Sequence, residues 1–173
     1  DASAFGGKLT INGSDTIVSG DTIQGGNRVD TINGGKGADT MTGAVGADIF
    51  SFTATAGAHA GGITFGIADV ITDFLIGIDK LQFSSVNDVV SGQQTSVQAA
   101  VTALTASATA TQIADAMATA NTTNLGVSFA ALGGNTYVLY ETTGASTGAA
   151  ADDIFIKLTG VTTAPAFATD VIA

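Results

Sequence analysis

Cysteine is absent from these 173 residues, so no disulfide staples the fold and redox chemistry gives no clue to the compartment. Basic residues are scarce: 5 Lys and Arg stand against 15 Asp and Glu, a net charge of -10 and a pI near 4.1. Nucleic acid and anionic membranes both need cationic surface and are poor partners for such a chain, whereas a metal cation suits it. The single histidine, His59, has no second His or Cys to share zinc with and reads as a solvated loop residue. No run approaches 18 apolar residues, so no transmembrane segment is expected. Neither G-x-S-x-G nor H-E-x-x-H occurs, and the lone glutamate, Glu141, cannot form a Glu pair for glycoside hydrolysis; the expectation is that the chain is not an enzyme. It opens at Asp1 without a basic n-region and reads as a fragment or a processed product.

Glycine, alanine, threonine and short acids fill the space left by the missing residue types. Asp21, Asp30, Asp39 and Asp48 follow one another at nine-residue intervals, each with an apolar residue two positions on: Ile23, Ile32, Met41 and Phe50. A period of nine suits neither a helix nor a hairpin. It suits a parallel β-roll in which six residues turn and three form a strand, so that two repeats make one coil. The apolar residue of each repeat then points into a narrow core, and glycine permits the positive φ of the turns.

One coil of 18 residues stacks Asp21 on Asp39 and Asp30 on Asp48. Strands in register lie about 4.8 Å apart. Two bare carboxylates at that spacing repel by about 3–4 kcal/mol at an effective dielectric near 20. A hard cation that accepts carboxylate and carbonyl oxygens removes the conflict, and calcium fits better than magnesium, which demands a strict octahedron and keeps its waters. The expected ligands are Asp21, Asp30, Asp39 and Asp48, with carbonyls of Gly25, Gly34, Gly35, Gly37, Gly43 and Gly46. The match to the consensus G-G-x-G-x-D-x-U-x is complete only in "GGKGADTMT" (34–42). Ala44 replaces a glycine in the next repeat, Arg28 replaces one in the repeat before and offers a guanidinium in place of a cation, and Asp15–Thr16–Ile17 slips the register upstream.

These repeats resemble the RTX proteins exported by type I secretion. The resemblance continues in "DVITDFLIGIDKLQFSS" (69–85), where Asp73–Phe74, Gly77 and Asp79–Lys80 precede an apolar strand. It implies a segment that caps the roll and adds Asp69, Asp73 and Asp79 as calcium ligands; the alternative is that Asp79 and Lys80 sit in a hairpin turn. Tyr137–Tyr140 and Ile154–Val161 resemble the family's terminal strands. The loop between them lacks the family's Asp-Gly run, and Asp170–Ala173 resembles the acid-plus-apolar end of a type I substrate.

The stretch 95–124 is different, alanine-rich and helical in period. Val97, Val101 and Leu104, then Ile113 and Met117, mark two short helices, with Thr95–Gln98 and Thr109–Gln112 as capping boxes. "DDIFIKLTGV" (152–161) alternates as a strand, with Ile154, Ile156 and Leu158 on one face and Phe155 and Lys157 on the other.

The expected fold is therefore mainly β: a short parallel β-roll at 1–56, and a capping region at 57–173 with antiparallel strands, one or two small helices and a secretion signal at its end. The resemblance implies an extracellular or bacterial cell-surface module that folds on calcium after passing the type I secretion machinery. The Ala, Thr, Gly and Ser bias, the low lysine and the missing cysteine resemble bacterial S-layer proteins, and that resemblance implies a self-associating parent. A secreted hydrolase or toxin, or an adhesin that binds cell-surface glycan, is the alternative.

Overall fold

The computed structural model describes residues 2, 4–14, 20–53, 68–84, 94–121, 126–141, 149 and 153–172. His59, the Asp15–Ile17 slip, the loop at 144–151 apart from Ala149, and the boundary at 56/57 lie outside them. Seven short strands wind as a parallel roll: β1 (Thr10–Asn12), β2 (Thr22–Gln24), β3 (Thr31–Asn33), β4 (Thr40–Thr42), β5 (Ile49–Phe52), β6 (Asp69–Ile71) and β7 (Lys80–Phe83). Odd and even strands go to opposite sheets. Thr22 pairs with Thr40 and Thr31 with Ile49, the offset of one 18-residue coil. Thr10 pairs with Thr31, an offset of 21, three more than one coil. The capping segment is a further coil: β6 stacks on β4 and β7 on β5, both in parallel, which excludes the hairpin alternative for Asp79 and Lys80.

Alternation within three-residue strands leaves one inward side chain each. Ile32, Met41 and Phe50 are fully buried and Ile23 nearly so. Phe50 meets Phe74 at 6.2 Å, and Phe52 stacks on Phe83 at 5.6 Å.

The same core runs into the cap without a break. The cap adds β8 (Gly126–Leu132), β9 (Asn135–Glu141), β10 (Ile154–Leu158) and β11 (Val171–Ile172). β10 joins β6 in parallel, then β9 and β8 follow antiparallel, giving the sheet order β2-β4-β6-β10-β9-β8. Ile154, Ile156 and Leu158 face the roll core and Phe155 faces the other way, as the alternation requires. The β8–β9 hairpin was not anticipated. Its signal is "GG" between two apolar runs: Gly133 and Gly134 both take positive φ, +59° and +79°, as a two-residue turn demands.

Two helices cover the outer face of β8–β10: α1 (Gln94–Thr102) and α2 (Ala110–Ala120). Val97, Val101, Ile113 and Met117 are buried there, as their spacing predicts. The Thr109–Gln112 capping box is present, with Thr109 N donating to Gln112 Oε1 at 2.9 Å and Gln112 N to Thr109 Oγ1 at 3.3 Å. Thr95 lies inside α1, and the Gln98 carboxamide pairs with both backbone groups of Ala131, at 2.8 and 3.0 Å, as a neighbouring strand would. That contact covers part of the open edge of β8. Among the described residues no helix is long and apolar enough to cross a membrane.

Candidate metal centre

Each aspartate of the repeat stands one residue before its strand, at the end of a turn that glycine keeps tight. The turns stack, so the aspartates form two columns. Asp21 and Asp39 precede β2 and β4, and Asp69 is the first residue of β6; Asp30, Asp48 and Asp79 precede β3, β5 and β7. Asp30, Asp39, Asp48, Asp69 and Asp79 are all buried. Stacking of Asp21 on Asp39 and of Asp30 on Asp48 is thus as the period predicts.

The carboxylates do not merely face one another. Asp21 N donates to Asp39 Oδ1 at 2.7 Å, and Asp39 N to Asp69 Oδ1 at 2.9 Å. In the second column Asp30 N donates to Asp48 Oδ1 at 2.8 Å, and Asp48 N to Asp79 Oδ1 at 2.9 Å. Leu9 N opens that column on Asp30 Oδ1 at 2.8 Å. The second oxygen often closes the local turn: Gly26 N reaches Asp30 Oδ2 at 2.6 Å, Leu75 N reaches Asp79 Oδ2 at 2.8 Å, and Ser14 N reaches Asp21 Oδ2 at 2.5 Å. The stack expected to be bare is laced with amides, and their dipoles offset part of the repulsion. Asp73 stands off the columns. Its two oxygens accept Gly43 N and Ala44 N at 2.9 and 2.8 Å, clamping the turn before Asp48.

A further rung was missed in the sequence. Asp170 ends the single helical turn α3 (Phe167–Asp170), is fully buried, and leads into β11, which pairs with β7. Its Oδ1 accepts Gly77 N at 2.8 Å and its Oδ2 accepts Ala166 N at 2.7 Å. The bond to the amide four residues back repeats the geometry of Asp30 and Asp79. Its place in the sequence, one residue before the apolar Val171, is the signal. The C-terminal acid-plus-apolar stretch is thus the last rung of the roll.

The glycines divide by cause. Gly35 and Gly37 take positive φ, +87° and +119°, and Ala44, nine residues after Gly35, is held at +69°, where its Cβ is strained. Gly25, Gly34, Gly43 and Gly46 are required for a different reason from the one expected: closeness. A Cβ on Gly25 would stand 2.5 Å from the Gly43 carbonyl oxygen and 2.9 Å from Asp30 Oδ2. On Gly46 it would stand 2.5 Å from both Arg28 O and Asp48 Oδ1. On Gly34 or Gly43 it would run into the carboxylate of Asp39 or Asp48. Arg28 itself is exposed, and its Nε donates to Gly6 O at 3.3 Å on the outer rim.

Residues 18–50 match a family described as the RTX calcium-binding nonapeptide repeat, in four copies, and this stretch is an RTX repeat module. No curated protein matches the chain. The module implies calcium, and the turns fit it. Among the described residues no three acidic, His or Cys side chains gather at one point, so a metal must draw on the backbone as well. The cradles that exclude a Cβ supply this: the Gly43 carbonyl converges with Asp30, Gly34 with Asp21, and Arg28 with Asp48, each pair bridging two turns of one column. These are hard oxygens in a flexible arrangement, the set calcium takes. A carboxylate has about four lone-pair sites, so accepting one or two amides leaves room for a cation.

Residual repulsion in the columns shows in the protonation of Asp48. Burial first, then the charges of Asp79, Asp30 and Asp73, push it up to about 6 against the opposing Asp30 amide. Burial raises Asp79 as well, whereas the Ser14 amide lowers Asp21. Where the folded pKa is raised, the folded state holds more protons than the unfolded one, and stability falls as pH rises. For Asp48 that contribution is complete below about 4 and lost through about 6. Metal-free protein should therefore keep more residual β structure at pH 5 than at pH 7, and calcium should remove or invert the trend. Circular dichroism in chelator at the two pH values checks this; a metal-free β signal that climbs from pH 5 to pH 7 contradicts it.

Proposed function

We propose that the RTX repeat module at residues 18–50, with the coil that follows it, is a calcium-driven folding unit of an extracellular structural protein. The observation that carries this is the convergence of carboxylate and carbonyl oxygens from successive turns on points where no Cβ fits. Asp21, Asp30, Asp39 and Asp48 hold the ions with turn carbonyls. Asp69 and Asp79 continue the columns, and Asp73 braces the turn of Asp48.

Calcium of this kind binds the folded state alone, so it stabilises that state by mass action. Inside a cell, where calcium is scarce, the chain stays open. Outside, it folds. RTX repeats occur in secreted proteins, which agrees with export in an unfolded form by a type I system. The reading assigns the chain no catalytic step.

The small-residue composition, the low lysine content and the absence of cysteine favour a parent that self-associates into a surface layer. Electron microscopy of purified protein with calcium and with chelator tests this. Sheets or filaments that appear only with calcium are the expected result. Monodisperse particles at high concentration in calcium would point to a secreted hydrolase, toxin or adhesin instead.

A further inference from the structure

The core under the two helices ends in polar groups that the roll does not use. Asn121 follows α2, Glu141 ends β9, and Asp153 stands one residue before β10; they are 3%, 4% and 2% exposed. β10 pairs with β9 with Ile154 opposite Tyr140, and one step further the same register sets Asp153 against Glu141. Asn121 Nδ2 donates to Glu141 Oε2. Gly126 of β8 lies opposite Glu141. Ser128, two residues along β8, is on the same face, and the diagonal offset places it about 7–8 Å from Glu141 with only the side-chain-less Gly126 at the intervening position. Ser128 is fully buried, and its hydroxyl has no hydrogen-bond partner.

A buried carboxylate pair needs a proton or a positive charge. Burial, then the charge of Asp153, push Glu141 up to about 7 against the Asn121 amide. Lys157 shares the face but lies four residues along β10, roughly 13 Å away at strand rise. Lys157 therefore does not reach the pair. Asp115 of α2 is exposed and accepts Ala149 N at 3.2 Å.

We propose that Glu141, Asp153, Ser128 and Asn121 form a second cation site, separate from the roll, for a hard divalent ion of the calcium class. The two carboxylates and the hydroxyl contribute oxygens directly. Asn121 contributes its carbonyl oxygen after a half-turn of the amide, which exchanges a donor for an acceptor. An ion there ties the end of α2 to β8, β9 and β10, so the helical layer and the sheet beneath it are held by metal as well as by packing.

Terbium(III), a hard ion that emits when a nearby tyrosine is excited, is the probe. Tyr140 adjoins Glu141, and the chain has 2 Tyr and no Trp. Wild-type protein at pH 7.5 should give tyrosine-excited emission that excess calcium competes away. In Glu141→Gln/Asp153→Asn, affinity should fall at least about tenfold. Ser128→Ala removes only a hydroxyl without a partner, so it keeps the fold and still weakens binding; it decides the matter if the double variant does not fold. Emission unchanged in both variants overturns the site. So does a wild type that never emits, which would leave a shared proton as the resident of the pair. Calcium binding by the roll is read separately from the calcium-dependent β signal, which these variants should retain. A failure here is therefore distinguishable from a failure of the roll.

Discussion

Titrated with calcium, metal-free protein should gain β structure in one cooperative step, and magnesium at equal concentration should leave the circular dichroism signal unchanged. Three-residue strands bury one side chain each and cannot stand alone; the roll holds only as a stack. Stacking brings Asp30, Asp39, Asp48, Asp69 and Asp79 out of water in two close columns. Their amide bonds offset the cost incompletely, as the raised Asp48 shows. Each ion at a hundred times its Kd adds about 2.7 kcal/mol to the folded state. A few ions therefore add an amount comparable with the whole stability of a domain, about 5–15 kcal/mol. A protein that is folded in chelator and indifferent to calcium would mean that the amide ladder carries the stack by itself.

Asp39→Ala and Asp39→Asn should separate the two duties of that residue. Alanine removes the acceptor of the Asp21 amide, at a cost of about 1–3 kcal/mol for a donor left without its partner. It also removes a metal ligand from the one complete repeat. Asparagine keeps a carbonyl oxygen for the amide and removes only the charge. In chelator, Asp39→Asn should keep at least the residual β signal of wild type while Asp39→Ala falls below it. In calcium, both should lose affinity by calorimetry and melt below wild type. An Asp39→Asn protein with unchanged calcium affinity would leave Asp39 its hydrogen-bonding role and end its assignment as a ligand.

Much of the roll was legible because nine-residue spacing constrains backbone and side chains together. Ile23, Ile32, Met41 and Phe50 had to point one way, and the eighteen-residue stacking of Asp21 on Asp39 followed. The two duties of the carboxylates were not legible, since spacing shows where an acid falls but not which amide passes beside it. Asp170 escaped because its nearest contacts are 93 and four residues away and no repeat surrounds it. The pair Asp153 and Glu141 escaped for a similar reason: antiparallel register brings them together, and nothing local marks it. Gln98 was read as part of a cap because its spacing from Thr95 allowed that, whereas the edge of β8 offered its carboxamide a backbone to pair with.

The ladder of aspartates also has a direction. In every rung the acceptor carboxylate belongs to the later coil and the donor amide to the earlier one, as Asp39 accepts from Asp21 and Asp79 from Asp48. A coil already in place thus presents finished acceptors to the coil that precedes it in sequence. The roll is therefore a stack with unlike faces: each coil turns carboxylate acceptors toward the N-terminal side and amide donors toward the C-terminal side. Within sheet β1-β3-β5-β7-β11 the donors of the β7 coil meet β11 and Asp170, joined to Gly77 across 93 residues. A contact so distant in sequence raises the contact order of a fold otherwise built from neighbouring coils.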